Sequence, residues 1–284
     1  MNQVEVYFKS GMPIDIKEMM VGVGDKDFSR FFSGTDNEAI EQVWSNLLSE
    51  RGGNVFSKPA GLGNLYNAEF THLDYTTTDF RTYIGVSLTA EKRTLSPELY
   101  DEMRVSAVGG AVRLTDGQFF VHRRPANATH VPNMLDSSVA GFCYTNGTGG
   151  LQVEKCLLEK LSRELHIQPN EIESMGLTDV HSSREPDFSG MMSFAIRARL
   201  DSREVKERID GKYSGEFHFI PEEQLVDFVV DHFAVQKDML GDGAAALLSY
   251  FPRPVFTDAV RRINKKEISI RFGDLQDGVF KERA

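Results

Sequence analysis

The side chains best placed to do chemistry stand in one short run, Glu159-Lys160-Leu161-Ser162-Arg163-Glu164. Residues four apart lie on one face of a helix, which sets Glu159 against Arg163 and Lys160 against Glu164. Two carboxylates at that spacing can share a divalent cation that bridges diphosphate oxygens and lowers the pKa of an attacking water. Here the first of the two positions carries an ammonium. It repels a dication and can itself neutralise phosphate charge. Taken plainly, the same spacing describes an exposed helix with two ion pairs, each contributing about 0.2 to 0.5 kcal/mol. Upstream, Arg123 and Arg124 follow a strand into a loop, where guanidinium groups can clamp a diphosphate bidentately or simply end the strand in solvent. The seven histidines show no ligand spacing. His166 falls at a helix C-terminus, which favours a surface cation. Glu216 and Glu222 lie near a late strand, while Asp227 and Asp231 mark a solvated helix face.

These side chains need a helix over about 151–166, ended before Pro169, and a chain that enters it through Ser138-Val139-Ala140-Gly141-Phe142. Ahead of that entry, 105–114 and 118–123 flank Asp116-Gly117, the clearest hairpin signal in the chain. After it, the pattern predicts strands at 176–181 and 191–200, a short helix over 202–209, a strand over 216–220 and a helix opened by Pro221-Glu222-Glu223. The first hundred residues read as a small α+β unit. Strands are expected at 4–8, 54–57 and 67–74, with a helix from Asp36 to about 51 stopped by Gly52-Gly53 and another over 78–84 ending at Gly85. Trp44 shares a helical stripe with Ile40, Val43, Leu47 and Leu48 and is expected in the core. Gly61-Leu62-Gly63-Asn64 is read as a turn. The tail carries a helix near 257–263 and a strand at 267–272. Three units follow: an α+β unit over 1–103, an α/β domain over 104–254 and a tail over 255–284.

With 284 residues, 40 % of them hydrophobic, the chain can bury a sizeable core. A net charge of −10 with scattered Lys and Arg argues against nucleic acid as partner. Cys143 and Cys156 are too few for a disulfide framework or a zinc cage. No N-terminal apolar run suggests a signal or an anchor, so a cytoplasmic protein with no membrane partner is expected.

The run from Ala140 to Ile167 resembles a degenerate Nudix box, whose signature is G-x5-E-x7-R-E-U-x-E-E-x-G-U with U aliphatic. A literal register puts Arg163-Glu164-Leu165 on R-E-U and leaves Ile167 and Gln168 on the paired glutamates. The preferred register puts Arg163-Glu164-Leu165-His166-Ile167 on E-E-x-G-U. Lys160 then replaces the first glutamate of the i,i+4 pair, and Glu164 keeps the second. The span from Gly141 to Glu164 is four residues too long, a surplus assigned to the turn 144–149. Within the superfamily the chain is most similar to the UDP-sugar hydrolase branch. That likeness rests on Val43-Trp44, Phe80-Arg81-Thr82-Tyr83-Ile84-Gly85, His122-Arg123-Arg124, Ala140-Gly141-Phe142 and Arg184-Glu185 leading to Met192-Ser193-Phe194-Ala195-Ile196. The resemblance implies an α/β/α sandwich and magnesium-dependent hydrolysis of a nucleoside diphosphate-linked small molecule. It also implies metal held by Glu164, by Glu159 or Glu154 and by the Ala140 carbonyl, and substrate contacts from Arg123, Arg124, Arg184 and Lys160. The same residues also suit a nucleotide-binding protein that has lost catalysis, or an interaction scaffold.

Overall fold

A computed structural model of the chain describes residues 4–15, 20–23, 33–51, 62–69, 72–90, 92–128, 131–145, 150–183, 189–212, 215–265 and 270–272. Among them one mixed sheet takes up β1 (Val4–Asp15), β2 (Met20–Val23), β3 (Leu62–Glu69), β4 (His72–Thr78), β5 (Val105–Arg113) and β6 (Gln118–Arg123). It continues with β7 (Leu135–Asp136), β8 (Val139–Phe142), β9 (Ile172–Ser183), β10 (Ser189–Ala198), β11 (Glu216–Pro221) and β12 (Ile270–Phe272). The helices are α1 (Gly34–Arg51), α2 (Phe80–Thr89), α3 (Pro97–Glu102), α4 (Val153–Glu164), α5 (Ser202–Ile209), α6 (Glu222–Val230), α7 (Gly241–Ser249) and α8 (Arg253–Asn264). The main strand order is β12-β1-β9-β10-β5-β3-β4-β2, with β8 beside β5 and β11-β6-β7 as a branch. Strand β1, from the N-terminal stretch, and β12, from the tail, are therefore bonded into the same sheet as β9.

Alternating side chains give this sheet two apolar faces, the mark of an α/β/α sandwich. On one face Val108 and Val112 of β5 join Phe120, Val180 and Phe194 beneath α4 and α5. Helix α4 buries Val153, Leu157 and Leu161 there, with Leu165 just past its end, as the helical spacing predicts. Burial of a leucine side chain contributes about 1.5 to 3 kcal/mol, so this stripe decides which face of α4 is left for chemistry. On the other face Ala111, Phe119 and Val121 join Val4 and Val6 beneath α6, α7 and α8. A third cluster packs α1, α2 and α3 together, with Trp44 set edge-on to Phe80 at 6.3 Å.

Several expectations change. The hairpin holds only at its turn, where Gly117 takes φ +80° and the Leu114 N–H donates to the Gln118 carbonyl at 2.9 Å. Beyond the pair Arg113–Phe119 the arms part, β6 turning to β11 and β5 to β8 and β10. Helix α2 runs through Gly85 instead of ending there, because the missing side chain lets α1 come close: a Cβ would lie 2.7 Å from Ile40 Cγ1. Asp79 caps it, accepting from the Thr82 N–H at 2.8 Å. Residues 62–64 lie inside β3, not in a turn, and the single strand expected over 67–74 is divided between β3 and its antiparallel partner β4. Asp36 lies within the first turn of α1, its carboxylate accepting from the N–H groups of Ser33 and Ser96, both at 2.8 Å. Helix α7 has no counterpart in the sequence reading. The expected strand at 54–57, Gly52-Gly53 and Arg184 lie outside the described residues.

Candidate functional site

Strand β8 runs antiparallel to β5, with Ala140 opposite Gly109 and Gly141 opposite Val108. The chain then folds back on itself. Thr145 bridges Leu151, the Gln152 N–H donates to the Tyr144 carbonyl at 3.1 Å, and the Tyr144 N–H points at Cys156 Sγ at 3.5 Å. Residues 146–149, which hold part of the surplus turn, lie outside the described residues. Just past the end of α4 and its cap Leu165, His166 takes a φ of +53°, the left-handed conformation that favours glycine. The Ile167 N–H returns to the Leu161 carbonyl at 3.2 Å, and Arg208 donates to the His166 carbonyl at 3.0 Å.

Lys160 lies over Gly141: a Cβ on that glycine would collide with the lysine Cε and Nζ. The ammonium donates to Glu164 Oε1 at 3.2 Å, and Arg163 reaches the same oxygen at 3.0 Å. Lys160 and Glu164 are each 22 % exposed, so solvent can still reach the pair. Burial raises the proton affinity of the Glu164 carboxyl, but the Lys160 ammonium, His122 and Arg163 outweigh it and hold its pKa below the ordinary range. Two cations therefore serve one carboxylate, a surplus of positive charge in a chain of net charge −10.

The other candidates separate. Glu159 does not pair with Arg163; it accepts from the Tyr144 hydroxyl and has Lys155 at 3.9 Å. Glu154 is exposed in the first turn of α4. Ala140 adjoins the glycine that Lys160 covers. Arg123 bonds Asp238 at 2.7 Å and the Asn133 carbonyl at 2.7 Å, with Glu216 at 3.4 Å. Arg124 pairs with the buried Asp136 at 3.3 Å, and Glu222 accepts from Arg113 at 2.6 Å. Sequence reasoning did not single out Asp136 or the approach of His122 to Glu164; β6 and β7 pair His122 with Asp136, and only tertiary pairing reveals it.

Among the described residues no three His, Cys, Asp or Glu side chains gather as a metal would require. The donor set does not fit the magnesium that the resemblance implies. A single carboxylate is already bonded to two cations, and Glu159 is engaged elsewhere.

Another titratable cluster lies on the opposite face of the sheet. His181 of β9 stands between Asp179 Oδ2 at 3.1 Å and Asp242 Oδ1 of α7 at 3.6 Å, and Asp242 also accepts from the Ser189 hydroxyl. Thr178 and Ser249 share a hydrogen bond of 2.8 Å in the same layer. Burial lowers the proton affinity of His181, but the two carboxylates overcome it and raise its pKa to about 10. All three side chains of this triplet are buried, and Asp242 fastens α7 to the sheet through Ser189.

No protein-family model matches the chain, and no curated protein matches it. Similar solved structures include DR0079 from Deinococcus radiodurans, 19 % identical over 51 % of this chain and 82 % of that one, with a TM-score of 0.37. A MutT protein from Methanosarcina mazei Go1 is 13 % identical over 58 % and 95 %, with a TM-score of 0.30. A Nudix hydrolase from M. Smegmatis, RenU, is 11 % identical over 58 % and 88 %, with a TM-score of 0.29.

Proposed function

We propose that the chain is a Nudix-type protein acting on a nucleoside diphosphate-linked small molecule, with UDP-sugars the first class to test. The observation that carries this reading is the strand-loop-helix box, in which Lys160 lies over Gly141 and donates to Glu164. His166 supports the preferred register: the left-handed residue falls where the signature has its glycine. The expected reaction is hydrolysis of the phosphoanhydride, giving a nucleoside monophosphate and a sugar phosphate. In its magnesium-dependent form it needs Glu164 together with Glu159 or Glu154 and the Ala140 carbonyl, and Lys160 would have to leave Glu164. A second reading, ligand binding without turnover, is favoured by that same Lys160–Glu164 bond. Both readings take a small-molecule partner, and a cytoplasmic location is proposed with them. Among the described residues no helix is long and apolar enough to cross a membrane.

Incubating UDP-glucose with the wild type and with Glu164→Gln, and following UMP release by phosphorus NMR, separates the two. Release that the variant abolishes supports hydrolysis. Binding without release supports the second reading, and a wild type that neither binds nor cleaves any nucleotide contradicts both.

A further inference from the structure

We infer that Lys160 supplies the cation of this site, so that the box receives a phosphorylated ligand through a tethered ammonium where a divalent ion would otherwise be needed. The inference rests on the diphosphate-binding reading above and deepens it. Lys160 Nζ lies in front of Gly141, in space that any other residue at 141 would fill with its Cβ. The ammonium stays in place because Glu164 accepts from it, and because the stem lies along a strand that presents no side chain at that point. Arg163 shares the same carboxylate oxygen, so the positive charge around Glu164 exceeds the negative.

Electrostatics then decides which ligand the site takes. A dication entering beside Lys160 and Arg163 meets two like charges and only one carboxylate, and among the described residues no cluster of three acidic or imidazole groups stands ready to offset that repulsion. A phosphate oxygen meets the opposite balance. It can accept from Lys160 and leave Glu164 with Arg163, so neither charge loses its partner. Gly141 also leaves the approach to Nζ free of any side chain of its own. The Lys160 side chain, 22 % exposed, is largely shielded from bulk solvent, where a phosphate contact would be screened.

Two measurements test this with the 284-residue chain. Manganese binding is followed by electron paramagnetic resonance without nucleotide, and UDP binding is followed by calorimetry in EDTA and in magnesium. Wild type is expected to hold no manganese in a manner sensitive to Glu164→Gln, while Lys160→Glu gains such a site. UDP is expected to bind the wild type equally in both buffers, and Lys160→Gln to weaken it about tenfold, the loss of one charge-assisted hydrogen bond. A thermal melt of each variant verifies that it is folded. Manganese binding by the wild type that Glu164→Gln removes, UDP binding that requires magnesium, or an unchanged affinity in Lys160→Gln overturns the inference. If the manganese results hold but no nucleotide binds, the exclusion of the metal stands and the diphosphate reading fails.

Discussion

His181 shows how much one buried side chain can be asked to do. Its imidazolium lies between Asp179 and Asp242, and replacing it strands two buried carboxylates, a change that typically costs about 3 to 5 kcal/mol. His181→Asn should lower the denaturation midpoint accordingly, and a melt unchanged within error would show that the pair contributes nothing. The folded pKa of about 10 stands above the ordinary histidine value of 6.5, so folding favours the protonated form. Its stabilisation is complete below pH 6.5, declines as pH rises and is lost through pH 10. Wild type should therefore lose stability over that window more steeply than His181→Asn. Lys9 belongs to the same electrostatic neighbourhood: burial lowers its pKa, and Asp179 opposes that shift.

At the scale of the element, local signals were legible where the local rule decided the outcome. Asp201 and Glu204 form a capping box, and α5 begins and ends where the sequence says. The Lys160–Glu164 bond follows from i,i+4 spacing alone, whereas the Tyr144–Glu159 contact depends on how the loop folds back. A glycine often ends a helix, so the sequence predicts a stop at Gly85, yet here it serves a helix crossing that only the tertiary structure reveals. Helix α7 escaped because every one of its residues is buried, which erases the amphipathic period, and because Gly241 and Gly243 look like breakers. Gly85→Val should push Ile40 and α1 away and lower stability by about 1 to 3 kcal/mol in urea unfolding. A neutral result would contradict the close α1–α2 approach. His166→Gly should do the reverse. Relief of a left-handed residue is worth about 1 kcal/mol and the freer unfolded chain takes back roughly half, so a small net gain is expected. A loss would mean that the imidazole holds something more than the helix end.

At the scale of the whole molecule, β1 and α8 tie the fold together. Val4 and Val6 of β1 and Phe256, Ala259, Val260 and Ile263 of α8 complete one core cluster, and β1 covers the edge of β9. Residues 104–254 alone would expose that edge and lose part of the α6–α8 face. Expressed by itself, this fragment should show no cooperative melt; a soluble fragment with a sharp transition would show that it folds without the flanking strands. The same architecture sets Lys160 and Glu164 on the remaining face of α4, with Lys160 over a glycine in β8. The most direct measurement is a crystal structure with UDP-glucose grown in EDTA. The account predicts the diphosphate within hydrogen-bonding distance of Lys160 Nζ beside Gly141, with no metal ion between them. A ligand bound elsewhere, or one that appears beside Glu164 only when magnesium is supplied, would contradict it.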